Sequence, residues 1–349
     1  MRSQFVSLFP GLATEEEVLE VLCILDTNTF QVKLPPSSSK FASIFEIQVL
    51  ASGCASSLSG LYPRAALLNH SCSPNCRLVF RSDYTLQVVT SVPVKKGDPL
   101  HISYTPPFYS LLARRNILQR GKQFTRQCQR CHDPQELGAH LSSLKCSSCS
   151  SGFLFVADPS NLASTWQCDS CPACLSHEDY ANMDAGLLRV QSRMDKENVA
   201  EMKEMLSLYA PSLHPHHALL TETKQHLAAA LGRAEGYRWD QLSEADLDLK
   251  IVISEELLKL CSILEPGLSK CRGITLLDLA EARGRLLHKT KSGSGLLAGL
   301  QKVEKEAEEA DKILKLEDEG SIEGNVARMA REQLAQVRMA VRALKSQFG

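Results

Sequence analysis

The chain reads NHSCSPNC at residues 69–76, and further along it carries Ile102-Ser103-Tyr104, Phe124 and the pair Cys128-x-x-Cys131. A lone histidine or a lone tyrosine on a strand is most often a packing residue, so no member of this set is informative by itself. The ordered set is much more specific than its members. It indicates a functional site assembled from several separate segments of the chain.

The segments around this set predict a mixed helix and strand region. Residues 12–25 predict a helix with Thr14 as N-cap and Glu17 three positions on, as in a capping box. Residues 28–34, 76–81, 84–92 and 100–104 predict strands, whereas 61–69 and 107–121 predict helices, the second ending at Gly121. Residues 41–60 could contain a strand or a buried helical turn, and we expect an insertion of unknown role there.

Composition and charge narrow the class of protein. Of the 13 cysteines in 349 residues, seven lie within residues 128–174, and the net charge is −1 with histidine neutral. That charge gives no general attraction to nucleic acid or anionic membrane. The chain has no apolar run long enough to cross a membrane, and residues 1–10 lack the zones of a signal peptide. We therefore expect an intracellular protein of the cytoplasm and/or nucleus, whose cysteines bind metal or stay buried as thiols.

Four of the clustered cysteines have the spacing of a structural zinc site: Cys146, Cys149, Cys168 and Cys171. Each C-x-x-C pair forms a turn that directs two thiolates at one Zn²⁺. The alternative is a set of buried thiols, and Cys174 could replace Cys171 in a shifted register. A nucleic-acid-binding zinc module shares this spacing, but no basic excess surrounds the cysteines, so direct nucleic-acid binding is the least favoured function.

Residues 177–349 show helical periodicity almost throughout. Proline and glycine interrupt it near 211–215, 232–236, 266–267, 293–295 and 320–324. This pattern predicts stacked helix pairs, as in tetratricopeptide (TPR)-like arrays. We interpret His214, His216 and His217 as part of a helix-start turn rather than a metal site. The basic run from Arg114 to Lys122 is interpreted as a solvated helix face.

The ordered set resembles the SET domain, with its N-H-S-C-x-P-N stretch, following tyrosine and cysteine-rich post-SET segment. Leu61-Tyr62-Pro63 before Asn69 and the helix after Tyr104 are similar to the SET-and-MYND (SMYD-type) methyltransferases, especially their arthropod SmydA branch. Stretches 213–217, 265–268 and 314–317 of the tail fit the same branch.

The resemblance implies an α+β fold class with three parts. Residues 1–122 would form a partial SET β-fold, the carboxyl part of the SET domain with the insertion 41–60. Residues 123–176 would form a small post-SET and zinc-binding cysteine cluster. Residues 177–349 would form an all-α, TPR-like helical C-terminal domain.

The resemblance also implies an S-adenosylmethionine-dependent protein-lysine N-methyltransferase acting on a histone or non-histone protein. It gives Tyr104 the catalytic role of orienting the lysine amine beside the methyl donor. Asn69 and the backbone of His70 would contact S-adenosylmethionine, and Phe124 would cover its adenine. Asn28 matches a short family segment that lines the cofactor and lysine channel.

A second zinc site is implied by the resemblance alone. The family's post-SET zinc uses the cysteine of the N-H-S-C motif and three more from a C-x-C-x-x-C segment. Cys72, Cys128 and Cys131 match, but Arg126 stands at the remaining position, and a guanidinium cannot bind zinc. The open alternatives are a water ligand, loss of the site, or recruitment of Cys76 or His132.

The family's first SET strands include a G-x-G turn, and no such turn precedes Asn28. The family's MYND finger also has no counterpart here. We therefore expect a fragment, a shortened form or an incomplete gene product, or else a chain that has lost catalysis. The alternative to an enzyme is a catalytically inactive, SET-derived zinc scaffold that binds protein partners through its helical tail.

Overall fold

The computed structural model describes residues 14–33, 57–124, 128–149, 151–161 and 163–348. As predicted, the architecture is α+β. Small sheets and short helices come first, a cysteine-rich module follows, and helices make up the remainder.

Helix α1 (Glu15–Asn28) begins at the predicted capping box. The Thr14 side chain accepts a hydrogen bond from the Glu17 backbone, and the Glu17 carboxylate accepts one from the Thr14 backbone. The helix continues beyond the predicted end at residue 25. Thr27 and Asn28 donate side-chain hydrogen bonds to carbonyls of the preceding turn, which satisfies the end of the helix.

Strand β1 (Thr29–Lys33) pairs antiparallel with β2 (Ser57–Leu61). Residues 57–60, which are expected to belong to the insertion, form a sheet with β1. The other residues of the expected insertion, 41–56, lie outside the described part of the chain.

The predicted helix over 61–69 is shorter in the structure. Pro63 begins helix α2 (Pro63–Ala66), and strand β3 (Asn69–His70) follows. Strands β4 (Cys76–Phe80) and β5 (Leu86–Thr90) form the predicted hairpin. Strand β6 (His101–Ile102) pairs parallel to β3, with Asn69 opposite His101 and His70 opposite Ile102. This pairing places the NHSC segment beside Tyr104.

Helix α3 (Leu111–Lys122) starts later than predicted, at the N-cap Ser110. It ends at Gln123, whose left-handed φ of 58° closes the helix, and Gly121 stays inside the last turn. The interpretation of its basic run as a solvated face is wrong for Arg114. That side chain is fully buried and donates to the Glu136 carboxylate.

The cysteine-rich module contains helix α4 (Gln129–His132) and a 3₁₀ turn (Glu136–Gly138). A four-stranded antiparallel sheet follows, in the order β10-β9-β8-β7. Its strands are β7 (Leu144–Lys145), β8 (Phe153–Val156), β9 (Trp166–Cys168) and β10 (Cys174–Leu175).

Seven helices form the tail: α5 (His177–Arg193), α6 (Val199–Tyr209), α7 (Ala218–Ala230), α8 (Glu244–Leu264), α9 (Lys270–Thr290), α10 (Gly293–Leu314) and α11 (Ile322–Phe348). From α6 onward consecutive helices pack on each other, whereas α5 packs on α7. The predicted breaks near 211–215, 232–236 and 266–267 lie in connections between helices, whereas Gly293 begins α10 and Gly324 lies in the first turn of α11. The break at 194–198 was not predicted, because it contains neither proline nor glycine. His217 is the N-cap of α7, accepting from the Leu219 backbone at 3.2 Å, as the helix-start interpretation expected.

One hydrophobic core runs from the cysteine-rich module into the helices. Trp166 of β9 stacks on Tyr180 of α5, with ring centroids 3.5 Å apart and planes within 8°. The hairpin is also fixed to the tail, because the Arg77 guanidinium donates to the Leu268 carbonyl at 2.7 Å. In the described ranges no helix combines the length and apolarity needed to cross a bilayer.

Candidate cofactor pocket and zinc centres

Tyr104 is held by the segment that precedes and includes the NHSC motif. Its backbone N–H donates to Nδ1 of His70 at 2.9 Å, and its hydroxyl donates to the Leu68 carbonyl. The rings of His70 and Tyr104 lie 5.3 Å apart. The phenol therefore has a fixed position at the edge of the β3–β6 pair.

Two further predicted residues flank this tyrosine. Phe124 meets Tyr104 edge-on at 6.3 Å between ring centroids, and both rings are half-buried. Asn69 is exposed on β3, next to His70, whose ring contacts Tyr104. A purine needs an apolar cover and polar contacts along one edge, and aromatic rings and a side-chain amide can supply these. The residue types present therefore suit the adenine of S-adenosylmethionine.

Asn28, which the resemblance places along the cofactor and lysine channel, lies at the end of α1. Its amide donates to the Ile24 carbonyl and to the Thr27 hydroxyl, both at 2.9 Å, so it serves the end of α1. The neighbouring Thr27 carbonyl accepts a hydrogen bond from the ammonium of Lys122.

Sequence reasoning missed Lys122, which lies 5.5 Å from the centroid of the Tyr104 ring. A cation at this distance from an aromatic face is attracted by the ring quadrupole. The available signal was a lysine two positions before Phe124. The interpretation of the whole basic run as a solvated helix face hides this signal.

We call Cys146, Cys149, Cys168 and Cys171 the four-cysteine cluster. Their sulfurs all lie within 4.8 Å of one another. The distances Cys146–Cys171 and Cys149–Cys168 are both 3.7 Å. A tetrahedron of sulfurs about 2.3 Å from Zn²⁺ has edges of about 3.8 Å, so these thiols fit a zinc ion with little movement.

Backbone N–H groups in the turns of the four-cysteine cluster favour thiolates, but burial and neighbouring thiols outweigh them at Cys168 and Cys171, whose pKa values are raised. Backbone N–H groups of Ser151 and Gly152 lower the pKa of the Cys149 thiol to about 6. Gly152 donates to that sulfur at 3.3 Å, and Ser170 donates to Cys168 at the same distance. Cys174 is exposed on β10 and is not a member of the cluster.

We call Cys72, Cys128 and Cys131 the three-cysteine cluster. All three are buried, with their sulfurs within 4.8 Å of one another and Cys72 Sγ 3.5 Å from Cys131 Sγ. Of the expected substitutes for a fourth ligand, neither Cys76 nor His132 joins this group. His132 Nδ1 instead lies 3.2 Å from the Ser160 hydroxyl. Arg126 lies outside the described residues.

Three buried charges lie beneath the three-cysteine cluster and were not predicted. Arg114 is 0% exposed, and Arg130 and Glu136 are 1% exposed. Nη1 of Arg114 donates to Glu136 at 2.6 Å, while Nη2 lies 3.9 Å from Cys131 Sγ. Burial raises the pKa of the Glu136 carboxyl, but Arg114 and Arg130 more than offset this and hold the pKa below its usual range. Two cations and one anion therefore face the buried thiols.

Arg130 also connects this cluster to the NHSC motif. Its Nη1 donates to the Cys72 carbonyl at 3.3 Å and to the Pro107 carbonyl at 2.9 Å. A buried guanidinium is stable only when its donors are satisfied, which these carbonyls and Glu136 achieve in part.

Comparison with known proteins agrees with this geometry. A SET domain model matches residues 16–105. The SET domain-containing protein SmydA-8, isoform B, of Drosophila melanogaster is 28% identical over 214 residues, 59% of this chain and 44% of the relative. Histone-lysine N-methyltransferase ASHR1 of Arabidopsis thaliana is 32% identical over 154 residues, 42% of this chain and 31% of the relative.

Histone-lysine N-methyltransferase SMYD3 of Homo sapiens is 40% identical over 73 residues, 21% of this chain and 17% of the relative. The chain thus spans less than half the length of the curated relatives it matches. The SET match includes the NHSC segment and Tyr104, which the structure brings together. The chain is therefore similar to SET-domain proteins, SET-and-MYND relatives among them.

Proposed function

We propose that this chain is part of an S-adenosylmethionine-dependent protein-lysine methyltransferase of the SET/SMYD type, related to the arthropod SmydA branch. The observation that carries the proposal is the placement of the Tyr104 phenol. The Leu68 carbonyl fixes it beside Phe124, and His70, which follows the exposed Asn69, contacts the same ring. The names of the relatives ASHR1 and SMYD3 support the same reaction class.

When bound, S-adenosylmethionine supplies an electrophilic methyl group on a sulfonium. Because the Tyr104 hydroxyl donates its hydrogen to Leu68, its oxygen faces an incoming amine as an acceptor. The Leu68 carbonyl is a second acceptor at the same place. An amine whose N–H bonds are held by these oxygens has its lone pair directed along one line, which an in-line displacement requires.

The attacking lysine must be neutral when its nitrogen lone pair forms the new bond to carbon. The half-buried rings of Tyr104 and Phe124 exclude water from one side of the site. Partial desolvation lowers the pKa of an ammonium, so the proton leaves to solvent more readily before transfer. The proposed roles are thus orientation by Tyr104 and cofactor contact by Asn69, the His70 backbone, Tyr104 and Phe124.

Calorimetric titration with S-adenosylmethionine tests this proposal. We expect Asn69→Ala to weaken binding at least tenfold, about 1.4 kcal/mol, while Asn116→Ala on the exposed face of α3 has no effect. Tyr104→Phe should bind within a few-fold of wild type but transfer methyl groups at least ~100-fold more slowly. The absence of binding, both here and after fusion to the preceding SET segment of SmydA-8, would reject the proposal.

One observation favours a second candidate function. The ammonium of Lys122 lies over the Tyr104 ring, on a face that a substrate ammonium could approach. A resident cation there favours the catalytically inactive zinc scaffold that binds protein partners through its helices. Methyl transfer by the wild-type chain would reject the scaffold. Transfer that appears only in Lys122→Met, and not in the exposed control Lys95→Met, would support it.

The remaining proposals follow from these two. The substrate is a histone or non-histone protein with an accessible lysine, and further protein partners bind the helical tail. Zn²⁺ is proposed in both cysteine clusters. We propose an intracellular location, in the cytoplasm and/or nucleus, where thiols stay reduced and available to metal.

A further inference from the structure

The imidazole of His70 has no part in the proposed cofactor contact, which uses only the backbone of this residue. The side chain is 1% exposed and uses both ring nitrogens. Nδ1 faces the backbone N–H of Tyr104 at 2.9 Å, and Nε2 faces Cys72 Sγ at 3.1 Å. A single ring thus lies between the three-cysteine cluster and the tyrosine.

The Tyr104 contact determines which nitrogen carries the proton. A backbone N–H can only donate, so Nδ1 must present its lone pair, and the neutral ring carries its hydrogen on Nε2. That hydrogen points at Cys72 Sγ, which accepts it best as a thiolate. An Nε2 that carries hydrogen has no lone pair for a metal, so His70 is not the missing fourth ligand.

We propose that His70 is a positioning residue that couples the three-cysteine zinc site to the backbone of Tyr104. A thiolate bound to Zn²⁺ keeps Cys72 Sγ in one place and keeps it a strong acceptor. The Nε2–H···S hydrogen bond then fixes the rotation of the imidazole, and Nδ1 fixes the Tyr104 N–H. Without the metal, Cys72 Sγ is no longer held in one place, so the imidazole is fixed less firmly at Nε2.

This coupling differs from the role of the buried charges. Arg114, Arg130 and Glu136 stabilise the buried cluster through contacts with Cys131, the Cys72 carbonyl and one another. The two hydrogen bonds of the His70 ring do not depend on the proposed function. An effect of the coupling on methyl transfer rests on that function.

Cadmium-113 substitution of the full chain, followed by NMR, tests the coupling. We expect two ¹¹³Cd resonances, one for each cluster. The Nε2 hydrogen of His70 should be protected from exchange and should show a scalar coupling to the ¹¹³Cd of the three-cysteine site, transmitted through the hydrogen bond. The ¹⁵N shifts of the ring should be those of the Nε2-protonated tautomer.

Variants separate coupling from simple packing. His70→Asn retains an acceptor near the position of Nδ1 but cannot reach the sulfur. We expect it to keep a native-like Tyr104 amide shift that no longer responds to Cys128→Ser, which disrupts only the three-cysteine site. In the wild type Cys128→Ser should shift that amide clearly. Cys174→Ser, an exposed cysteine outside both clusters, should behave as wild type.

Several outcomes would overturn the inference. A large one-bond coupling between ¹¹³Cd and His70 Nε2, or an Nδ1-protonated ring, would contradict the proposed tautomer. A single ¹¹³Cd resonance would contradict the second metal site, and a wild-type Tyr104 amide shift that stays unchanged when the three-cysteine site is disrupted would contradict the coupling. None of these readouts uses S-adenosylmethionine. A chain that passes these NMR tests but binds no cofactor would keep the coupling and lose the proposed enzyme.

Discussion

The four-cysteine and three-cysteine clusters differ in how their thiols are brought together. The first takes its cysteines from residues 146–171, at the turns of short neighbouring strands. The second joins Cys72, which follows β3, with Cys128 and Cys131 around α4. A site of the first kind can be recognised from spacing, whereas one of the second kind requires the fold itself.

The two clusters also differ in how charge is accommodated. A zinc ion with four thiolates is a dianion, and the four-cysteine cluster, three of whose members are partly exposed, can rely on water to solvate it. The buried three-cysteine cluster has no such access. The formal charges cancel in a site that holds three thiolates, one Zn²⁺, Arg114, Arg130 and Glu136. Burial of the three-cysteine cluster with its metal therefore requires the compensating charges of Arg114, Arg130 and Glu136.

Metal removal should give the largest difference between the clusters. Structural zinc in small modules contributes on the order of 10 kcal/mol, so EDTA should unfold the sheet β7–β10. Trp166, stacked on Tyr180, reports this as a red shift in fluorescence once Trp239→Phe has removed the other tryptophan. Cys72→Ser, which disrupts only the three-cysteine site, should leave Trp166 emission native. Unchanged emission after complete zinc loss would show that the sheet does not depend on metal.

The salt bridge beneath the three-cysteine cluster should give the next largest effect. Arg114→Met leaves Glu136 buried with Arg130 as its remaining cation, at 3.4 Å. Removal of one partner from a buried pair costs about 3–5 kcal/mol of unfolding free energy. Urea denaturation measures this loss, and Arg120→Met on the exposed face of α3 should cost less than about 0.5 kcal/mol. Equal losses in the two variants would contradict the charge argument.

Acid should lower the unfolding free energy through two buried histidines near the four-cysteine cluster. Burial lowers the pKa of His217 to about 4, and its Nε2 has no hydrogen-bond partner. Burial also lowers the pKa of His214, which packs on Phe153 of β8, to about 3. These histidines bind fewer protons folded than unfolded, so stability falls as the pH drops below about 6.5.

For His217 alone the expected loss of unfolding free energy between pH 7 and 4.5 is about 2 kcal/mol. His217→Asn retains an N-cap acceptor for α7 and cannot be protonated. The difference in unfolding free energy between wild type and this variant, followed by urea denaturation over that range, isolates the histidine because both chains carry the same thiols. A pH-independent difference would refute the assignment.

Local patterns were sufficient for much of the fold. The capping box at Thr14, the β4–β5 hairpin and the breaks at Pro266 and Gly267 each depend on residues adjacent in sequence, and each is present. Gly267 even has a separate reason to be glycine, because an added Cβ would lie 1.9 Å from the Ser91 carbonyl oxygen. Such signals do not require knowledge of distant contacts.

The errors arise where a distant contact determines the environment. Arg114 belongs to a basic run that suggests a solvated helix face, yet α3 places it against Glu136 and Cys131. Residues 57–60 have weak strand character alone and form β2 because β1 pairs with them. The contact of the His70 ring with Tyr104 could not be predicted either, because it depends on the β3–β6 pairing.

The smallest expected effect decides the register of the four-cysteine cluster. Spacing alone allowed Cys174 to replace Cys171, but the structure places Cys171 Sγ 3.7 Å from Cys146 Sγ and leaves Cys174 exposed on β10. Cys174→Ser should therefore keep its zinc content and change the unfolding free energy by less than about 0.5 kcal/mol. Cys171→Ser should lose one zinc per chain, measured by mass spectrometry of the metal. The reverse pattern would mean that β9 and β10 pair in a shifted register around the metal, and that the four-cysteine cluster, although local in sequence, is also determined by strand pairing.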